Sequence, residues 1–521
     1  MPEYLTPGVY VQEVDTGPRP IEGVGTACAA FVGMAPNGPA NKPVLVTNWS
    51  QYVNTFGSLD DSGKRNPHLP GSYLSHSVYG YFLNGGGRCY VTRVVPKNGH
   101  AGNGKAEPTT LQIPSKSSKA LPSLTLRPKT ANLAQDVEIS VTPASGENPP
   151  EGTFTIRFKV GTDEETFENV SLGRRSPRGV TETINQTSKL VIVVEEQSQG
   201  TLAERIPETG SYFLRAQHTT TQPLVKVDDF AGDIVQRSGM EGLQIADDVT
   251  MVACPDLMAA YEAGAIDRDG VKSVQLKMIA HCEQMGDRIA ILDPLPDLTP
   301  QEVGAWRQKE TNYDSKYAVL YYPWVKVAGP DNRPMAIPPS GYMAGIYARN
   351  DTERGVHKAP ANEVIRGVLE AAAPITKGEQ DTLNPIGVNC IRSFAGRGVR
   401  VWGARTLSSD PAWRYVNVRR LFNYIEKSIE LGTQWVVVEP NTPDLWARVR
   451  RDVGAFLSRS WREGMLFGLT ASEAFFVKCD AELNPPEVRD AGQLVIDVGL
   501  APVKPAEFVI FRLSQIAGGG A

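Results

Sequence analysis

The chain has 521 residues and a mass of 56.6 kDa, with 41% hydrophobic residues, 21% charged residues and a formal net charge of −5. This length exceeds what one hydrophobic core serves, so about three domains are expected, and the composition excludes a disordered protein. No apolar run reaches the roughly 18 residues of a membrane-spanning helix, and the segment after Met1 lacks the features of a secretory signal. Six scattered cysteines are typical of reduced thiols in a cytoplasmic protein.

Both ends of the chain have the composition of extended strands. The first strand covers residues 4–14 and includes Val9, Tyr10, Val11, Gln12 and Val14. The second covers residues 505–513 and includes Phe508, Val509, Ile510, Phe511 and Leu513. Neither adjoins a hairpin turn, and a strand with unpaired backbone groups pairs readily with another chain. The pattern predicts strand exchange between subunits. Pairing of the two ends with each other, or with their own domain, remains the alternative.

The predicted elements define six zones along the chain. Residues 1–22 form an extended arm, and residues 23–95 are α/β, with strands at 27–33 and 88–95 around a helix at 72–83. Residues 96–240 are a β-rich insertion, a sandwich or a small barrel. Residues 241–375 alternate strands at 249–253, 288–293 and 317–324 with helices, which favours a parallel sheet.

The last two zones are a C-terminal domain at 376–504 and a C-terminal strand arm at 505–521. In the C-terminal domain a helix is predicted to begin at Asp410-Pro411, and a second helix covers residues 442–464. Between them the apolar run at 435–439 predicts a buried strand.

Charge is distributed unevenly along the chain. Between Val388 and Arg462 there are 13 basic residues against 6 acidic ones, which gives +7, whereas the remainder sums to −12. A basic region on an acidic body indicates an acidic partner, either nucleic acid or an acidic protein surface. No nucleic-acid fold signature accompanies the basic residues, and a solvated basic face is the remaining interpretation.

Motifs for catalysis or cofactor binding are missing from the sequence. There is no paired Cys or His spacing for zinc, no phosphate-binding G-x-x-x-x-G-K-[ST] and no G-x-S-x-G. Ser340 could be combined with Asp293 and His357 as a hydrolase triad, but triads are defined by geometry rather than inventory. Ser340 is better explained as a helix N-cap. We therefore expect no enzyme activity, no metal and no cofactor.

Several segments resemble one family in the order in which that family has them. They are residues 7–14 (PGVYVQEV), 31–39 (FVGMAPNGP), 82–91 (FLNGGGRCYV), 321–324 (YYPW), 338–345 (PPSGYMAG), 351–362 (DTERGVHKAPAN), 413–420 (WRYVNVRR), 439–441 (EPN) and 505–509 (PAEFV). On these segments the chain resembles contractile tail sheath proteins of phages and of bacterial contractile injection systems. The resemblance covers residues 1–95 and 241–516, whereas residues 96–240 have no match.

The resemblance implies a multidomain α/β sheath core. That core would have a subtilisin-like middle domain, an α+β C-terminal domain facing an inner tube, an inserted β-rich outer domain and terminal arms that exchange strands. Arg448, Arg450, Arg451, Arg459 and Arg462 become candidates for the tube-facing surface.

The implied function is to assemble as stacked six-fold rings around the tube and to contract without nucleotide. The implied partners are copies of the chain, the inner tube protein, baseplate proteins and tail-terminator or cap proteins, with no nucleic acid and no membrane insertion. Assembly is expected in the bacterial cytoplasm, as part of a phage tail or phage-tail-like particle. A non-contractile strand-exchanged assembly and a serine hydrolase using Ser340 are the alternatives.

Overall fold

The computed structural model describes residues 21–59, 63–96, 110–116, 122–129, 137–146, 150, 152–160, 163–173, 178–196, 201–214, 225–329, 333–508 and 510. They form two compact units. The larger unit comprises residues 27–350 and 360–414, and the smaller unit comprises the residues up to 26, residues 351–359 and the residues from 415 onward.

The strands lie in both units, and those of the insertion (residues 96–240) are part of the larger unit. They are β1 (Cys28–Gly33), β2 (Val44–Val46), β3 (Ser58–Leu59), β4 (Arg65–Asn66), β5 (Arg88–Arg93), β6 (Leu111–Pro114), β7 (Pro122–Pro128), β8 (Val137–Pro143), β9 (Thr153–Val160), β10 (Asp163–Ser171), β11 (Val191–Glu195), β12 (Gly210–Leu214), β13 (Met251–Ala253), β14 (Ile289–Leu292), β15 (Ala318–Tyr322), β16 (Val325–Ala328), β17 (Pro334–Ile337), β18 (Glu370–Ala371), β19 (Val388–Phe394), β20 (Gly398–Val401), β21 (Phe475–Lys478) and β22 (Asp497–Leu500).

The α-helices follow the same chain order. They are α1 (Trp49–Phe56), α2 (Leu74–Leu83), α3 (Val180–Thr187), α4 (Leu202–Arg205), α5 (Val227–Ala231), α6 (Asp256–Glu262), α7 (Arg268–Met285), α8 (Pro300–Ala305), α9 (Ser340–Arg354), α10 (Lys377–Leu383), α11 (Val416–Gly432), α12 (Pro443–Arg462), α13 (Ala471–Ala474) and α14 (Pro486–Asp490). A π-helical turn, Trp306–Thr311, continues α8, and short 3-10 turns occur at Glu241–Ile245, Asn384–Ile386, Pro411–Trp413 and Gln434–Val436.

An eight-stranded sheet organises the larger unit, with the order β2-β5-β1-β13-β14-β15-β19-β20. The strands from β5 to β19 are parallel, and β2 and β20 add antiparallel edges. Strands β1, β13, β14 and β15 are buried along their whole length, which is typical of parallel strands covered on both faces. The parallel sheet predicted from the strand–helix alternation is confirmed.

Asp256 at the start of α6 ties three segments of the larger unit together. Its carboxylate accepts hydrogen bonds from the Met34 N–H at 2.5 Å, the Ser72 hydroxyl at 2.8 Å and the N–H groups of Tyr73 and Leu74 at 2.5 and 3.1 Å. The N–H groups of Tyr73 and Leu74 lie where α2 begins and have no partner inside that helix. One buried carboxylate therefore holds the end of β1 and the start of α2 against α6.

The insertion has a hydrophobic core of its own. β10-β9-β8-β12 and β11-β7-β6 form two antiparallel sheets, and α3 contributes Val180 and Ile184 to the core. Inward positions of β9, such as Ile156 and Phe158, alternate with exposed or half-buried ones. This period of two is the pattern of a sheet with one buried face.

The smaller unit is built on α11 and α12. Leu421 and Ile425 of α11 pack with Val449 and Val453 of α12 in one core, to which Ile21 also belongs. α12 begins as its sequence predicts, because the Thr442 hydroxyl accepts from the Leu445 N–H and Pro443 occupies the first turn.

The structure differs from the sequence prediction in several places. The helix predicted to begin at Asp410-Pro411 begins only at Val416, because Asp410 caps a separate 3-10 turn, Pro411–Trp413. Residues 351–359, which we assigned to the 241–375 zone, lie in the smaller unit. Residues 376–414, which we assigned to the C-terminal domain, lie in the larger unit because β19 pairs with β15 in the large sheet. The buried strand predicted at 435–439 is wrong. Gln434–Val436 form a 3-10 turn, Val437 is exposed, and Val438 is fully exposed with φ +65°. This apolar run lies in the short α11–α12 connection, where none of the strands that the structure describes pairs with it.

Candidate functional site

The exposed face of α12 carries four of the five arginines predicted to face a tube. At about 100° per residue, Arg448, Arg451, Arg459 and Arg462 fall within an arc of roughly 80° on the helix. All four are exposed, and the opposite face is buried through residues such as Val449 and Phe456. We call these four residues the arginine stripe. Arg450 is about 200° away from Arg448 and is half-buried, with Nη1 donating to the Cys479 carbonyl oxygen.

Some guanidinium groups of the arginine stripe have binding partners within the chain. Arg448 Nη2 lies 3.3 Å from Glu439 Oε2, and its guanidinium lies 5.1 Å from the Trp435 ring centre. Arg459 donates to the Ile21 carbonyl oxygen at 3.1 Å, and no described carboxylate pairs with its positive charge. Exposed ion pairs contribute little to stability, so the stripe keeps its capacity to meet an acidic surface.

Not all of the excess positive charge of this region lies at the surface. Arg419 and Arg420 of α11 are 1% and 4% exposed. Arg420 binds both carboxylate oxygens of Asp351, at 2.8 and 2.6 Å, and Arg419 binds Glu426 at 3.0 Å. These arginines hold the smaller unit together. A count of charges along the sequence does not distinguish such buried arginines from exposed ones.

A two-stranded antiparallel sheet lies beside α12 in the smaller unit. β21 pairs with β22, from Phe475 opposite Leu500 to Lys478 opposite Asp497. In the part of the chain that the structure describes, neither outer edge of this pair is joined to a third strand. An open sheet edge presents N–H and C=O groups that another chain can pair with.

The C-terminal segment leaves this unit with apolar side chains in solvent. The Tyr415 hydroxyl donates to Glu507 at 2.9 Å, and beyond it Phe508 and Ile510 are 72% and 80% exposed. The other predicted arm residues lie outside the described residues; they are Val9, Tyr10, Val11, Gln12, Val14, Val509, Phe511 and Leu513.

Further exposed apolar residues near β21 and β22 escaped the sequence prediction. Phe467, Leu469 and Phe476 are more than half exposed, and the Phe467 N–H donates to Ala501, one residue after β22. Neither a period of two nor a helical period distinguishes Phe467 and Leu469 from core residues in the sequence. Their exposure follows from the short strands around them, which bury only one side.

Ser340 and Asp293 are brought together, but not as a catalytic site. Ser340 is the first residue of α9, and its N–H and hydroxyl donate to Asp293 at 2.9 and 2.6 Å. Both side chains are buried, and burial raises the pKa of Asp293 to about 7, partly offset by the two hydrogen bonds from Ser340. His357 belongs to the smaller unit. The carboxylate thus caps α9, whereas a nucleophile needs an accessible hydroxyl.

The described residues contain neither a metal-binding cluster nor a membrane-spanning helix. No group of three or more His, Cys, Asp or Glu side chains there is arranged to hold a metal ion. No helix in those residues combines the length and the apolar character that crossing a bilayer requires.

Comparison with known proteins identifies the family. Residues 243–407 match the model of the phage tail sheath protein central domain, and residues 408–516 match that of the phage tail sheath C-terminal domain. Together the two matches cover more than half of the chain. The fold and these matches define a structural subunit of a contractile tail. The chain belongs to the contractile tail sheath protein family.

Relatives and solved structures agree with this assignment. The tail sheath protein of Burkholderia phage BcepMu is 25% identical over 97% of this chain and 95% of its own length. A prophage major tail sheath protein of Pseudomonas aeruginosa is 29% identical, over 43% of this chain and 57% of that relative. The contracted helical sheath of the anti-feeding prophage has a TM-score of 0.59 at 24% identity, covering 98% of this chain and all of that one. The contracted PVC sheath, from an extracellular contractile injection system, has a TM-score of 0.56 at 23% identity, with 99% of each chain covered.

Proposed function

We propose that this protein is the structural subunit of a contractile sheath. It assembles as stacked six-fold rings around an inner tube and contracts to drive the tube through a target envelope. The observation that carries the proposal is an open-edged strand pair, β21–β22, in the same unit as an exposed apolar C-terminal segment. Relatives named as tail sheath proteins support it.

Strand exchange would link the subunits. An incoming strand that pairs with the outer edge of β21 or β22 gains a ladder of backbone hydrogen bonds, and alternate side chains give it specificity. The composition of residues 4–14 and 505–513 suits such a strand. Phe508 and Ile510 are exposed in the single chain, so a neighbouring subunit could bury them.

The arginine stripe is the surface that we assign to the inner tube. Its charges are exposed, aligned along α12 and only partly paired. Exposed ion pairs are individually weak and are screened by salt over about 8 Å at physiological ionic strength. Such contacts hold an assembled sheath in register on a tube and still release it. Arg450, whose side chain is engaged with Cys479, would contribute less.

Contraction would use rigid bodies, with the terminal arms acting as hinged tethers between subunits. The arms keep their backbone pairing while the folded units re-pack, as in other hinged transitions between two packings. The energy is stored when subunits assemble in the extended state around the tube, so no nucleotide is required. A subtilisin-like middle domain, which the parallel strands of the larger unit support, would serve as a rigid body in this mechanism.

Baseplate and terminator proteins would bound the sheath at its two ends. A chain of the anti-feeding prophage baseplate resembles this protein with a TM-score of 0.57, which agrees with a sheath meeting a baseplate. Assembly in the bacterial cytoplasm, before release of the particle, completes the proposal.

Electron microscopy of the purified chain tests the proposal. We expect the full chain to form hollow striated tubes by negative stain, and deletion of residues 1–20 to leave folded monomers without tubes. Deletion of residues 518–521, beyond the predicted C-terminal strand, is the matched control and should leave the tubes intact. Tube formation by the chain lacking residues 1–20 would contradict the strand-exchange model. Tubes that form around the co-expressed tube protein but never shorten would indicate a non-contractile assembly.

A further inference from the structure

A tight hairpin in the larger unit presents arginine side chains at the edge of the large sheet. β19 and β20 pair up to Phe394 opposite Gly398, with a three-residue loop at 395–397. The Arg397 N–H donates to the Phe394 carbonyl at 3.0 Å, and Gly396 and Gly398 have positive φ. These features define a rigid turn. We call residues 392–400 the arginine hairpin.

Aromatic rings hold the guanidinium groups of the arginine hairpin in place. Those of Arg392 and Arg397 lie 5.4 and 5.5 Å from the Phe394 ring centre. Phe394 in turn contacts Trp402, with ring centres 4.6 Å apart. Cations within about 6 Å of an aromatic face are attracted to it, so the arginines are oriented before any partner arrives.

The charges of the arginine hairpin lack counter-charges within the described chain. Arg392 binds the Gln380 side-chain oxygen at 3.0 Å, Arg397 binds the Asn362 side-chain oxygen at 3.3 Å, and Arg400 binds the Asn362 carbonyl oxygen at 2.7 Å. Every one of these acceptors is neutral, and Arg392 Nε is buried without an acceptor among the described residues. Arginine forks bind carboxylates most strongly, so the natural complement of this surface is an acidic segment.

The same chain supplies such a segment in its smaller unit. Residues 480–497 contain five acidic residues and one basic residue, Arg489. Glu487 and Asp490 on α14 are exposed and form no ion pair with other described residues. We call residues 480–497 the acidic segment.

A helical assembly of identical subunits joins different patches of the same chain at each contact. We propose that the arginine hairpin of one copy binds the acidic segment of a second copy. The inference rests on the proposed self-assembly and adds a polar contact that is separate from strand exchange. Charge complementarity of this kind sets orientation and excludes wrong registers more than it adds affinity.

Charge reversal tests the contact. The variant R397E/R400E should require about tenfold more protein than the full wild-type chain to reach half-maximal tube formation, measured by pelleting at low salt. If loss of the Arg400–Asn362 bond unfolds the double variant, the single variant R397E takes its place. R397E changes only a residue of the exposed loop. K377E, at an exposed position of α10 in the same unit, is the matched control and should assemble normally.

The decisive comparison is the charge swap. E487R/D490R should weaken assembly to a similar extent, and combining it with the hairpin reversal should restore most of the loss. Reversals that do not affect tube formation, or a loss that the swap does not rescue, overturn the contact while leaving the sheath proposal intact. Failure of the wild-type chain to assemble, alone or with its tube, overturns both.

Discussion

Asp293 is a buried carboxylate whose ionisation is linked to folding. Burial raises its pKa from an ordinary value of 3.8 to about 7. Between these values the folded chain holds a proton at Asp293 that the unfolded chain has released. The contribution of this group to the free energy of unfolding therefore falls as pH rises from about 4 to about 7 and is constant above that range.

Asp293→Asn should remove this pH dependence, because the amide stays neutral and its oxygen can still accept the Ser340 N–H. Relative to wild type, the variant should gain stability from pH 4 to pH 7, by on the order of 1 kcal/mol per pH unit at most. Urea unfolding of both proteins at pH 4, 5.5 and 7 measures the difference. Burial also raises the pKa of Asp256, to about 6. This residue is present in both proteins, so its contribution cancels in the difference between them. Parallel curves for the two proteins would contradict the prediction.

Val438 has a backbone conformation that disfavours its side chain. It is fully exposed at φ +65°, where a β-branched residue is strained and gains nothing from packing. Val438→Gly should stabilise the chain by about 1 kcal/mol, measured by urea unfolding. Val437→Gly is the matched control, since φ −62° suits valine and glycine there only loosens the unfolded chain. Equal effects of the two substitutions would rule out backbone strain as the cause.

At the residue scale, the sequence predicted where a side chain lies along an element better than it predicted which residue that side chain binds. Ser340 was predicted to be a helix N-cap. α9 does begin at Ser340, but the N-cap role is wrong, because the Ser340 hydroxyl donates to Asp293 instead of accepting from an N–H of the helix. The capping carboxylate, Asp293, is 47 residues earlier in the chain and was considered only as a catalytic partner. Local sequence carries no information about which distant strand end reaches a given helix.

At the element scale, glycines set how closely α2 and α9 approach. A Cβ at Gly341 would lie 2.5 Å from Ser77 Cα, and one at Gly345 would lie 2.6 Å from the Tyr81 carbonyl oxygen. These neighbours are backbone atoms of a buried helix and cannot rotate away. The two glycines are therefore part of the packing and not of a turn.

Gly341→Ala and Gly345→Ala should each destabilise the chain by about 1–3 kcal/mol through overpacking. Gly378→Ala in α10 is the control, because a Cβ there meets nothing within 4 Å, and it should be neutral or slightly stabilising. Thermal unfolding of the three variants measures the contrast. A Gly341→Ala protein as stable as the Gly378→Ala protein would show that α2 and α9 can move apart at little cost.

Strongly patterned elements were predicted well from sequence. The helix predicted from residue 442 onward is α12, and the strands at 288–293 and 317–324 correspond to β14 and β15. The error at 435–439 has a physical reason. An apolar run has no period that separates a buried strand from an exposed connection, and only the available neighbours decide between them.

At the scale of the whole molecule, the C-terminal segment should serve assembly rather than folding. Among the described residues, deleting residues 505–521 removes Phe508 and Ile510, which are exposed, and the hydrogen bond from Tyr415 to Glu507. We expect the free energy of unfolding to change by at most about 1 kcal/mol and tube formation to be lost. Calorimetry and electron microscopy of the same sample measure both quantities. A truncated chain that unfolds much more easily would instead make the segment part of the monomer core.

The sequence by itself determined the α/β class, the parallel strands of the larger unit, the major helices and the family. Each of these depends on local periodicity or on short motifs, and both are present in the amino-acid sequence itself. Only the tertiary structure decided that residues 376–414 join the large sheet, that Arg419 and Arg420 are buried while the arginine stripe is exposed, and that β21 and β22 have open edges. These outcomes depend on which distant segments meet, and a one-dimensional pattern does not encode that information.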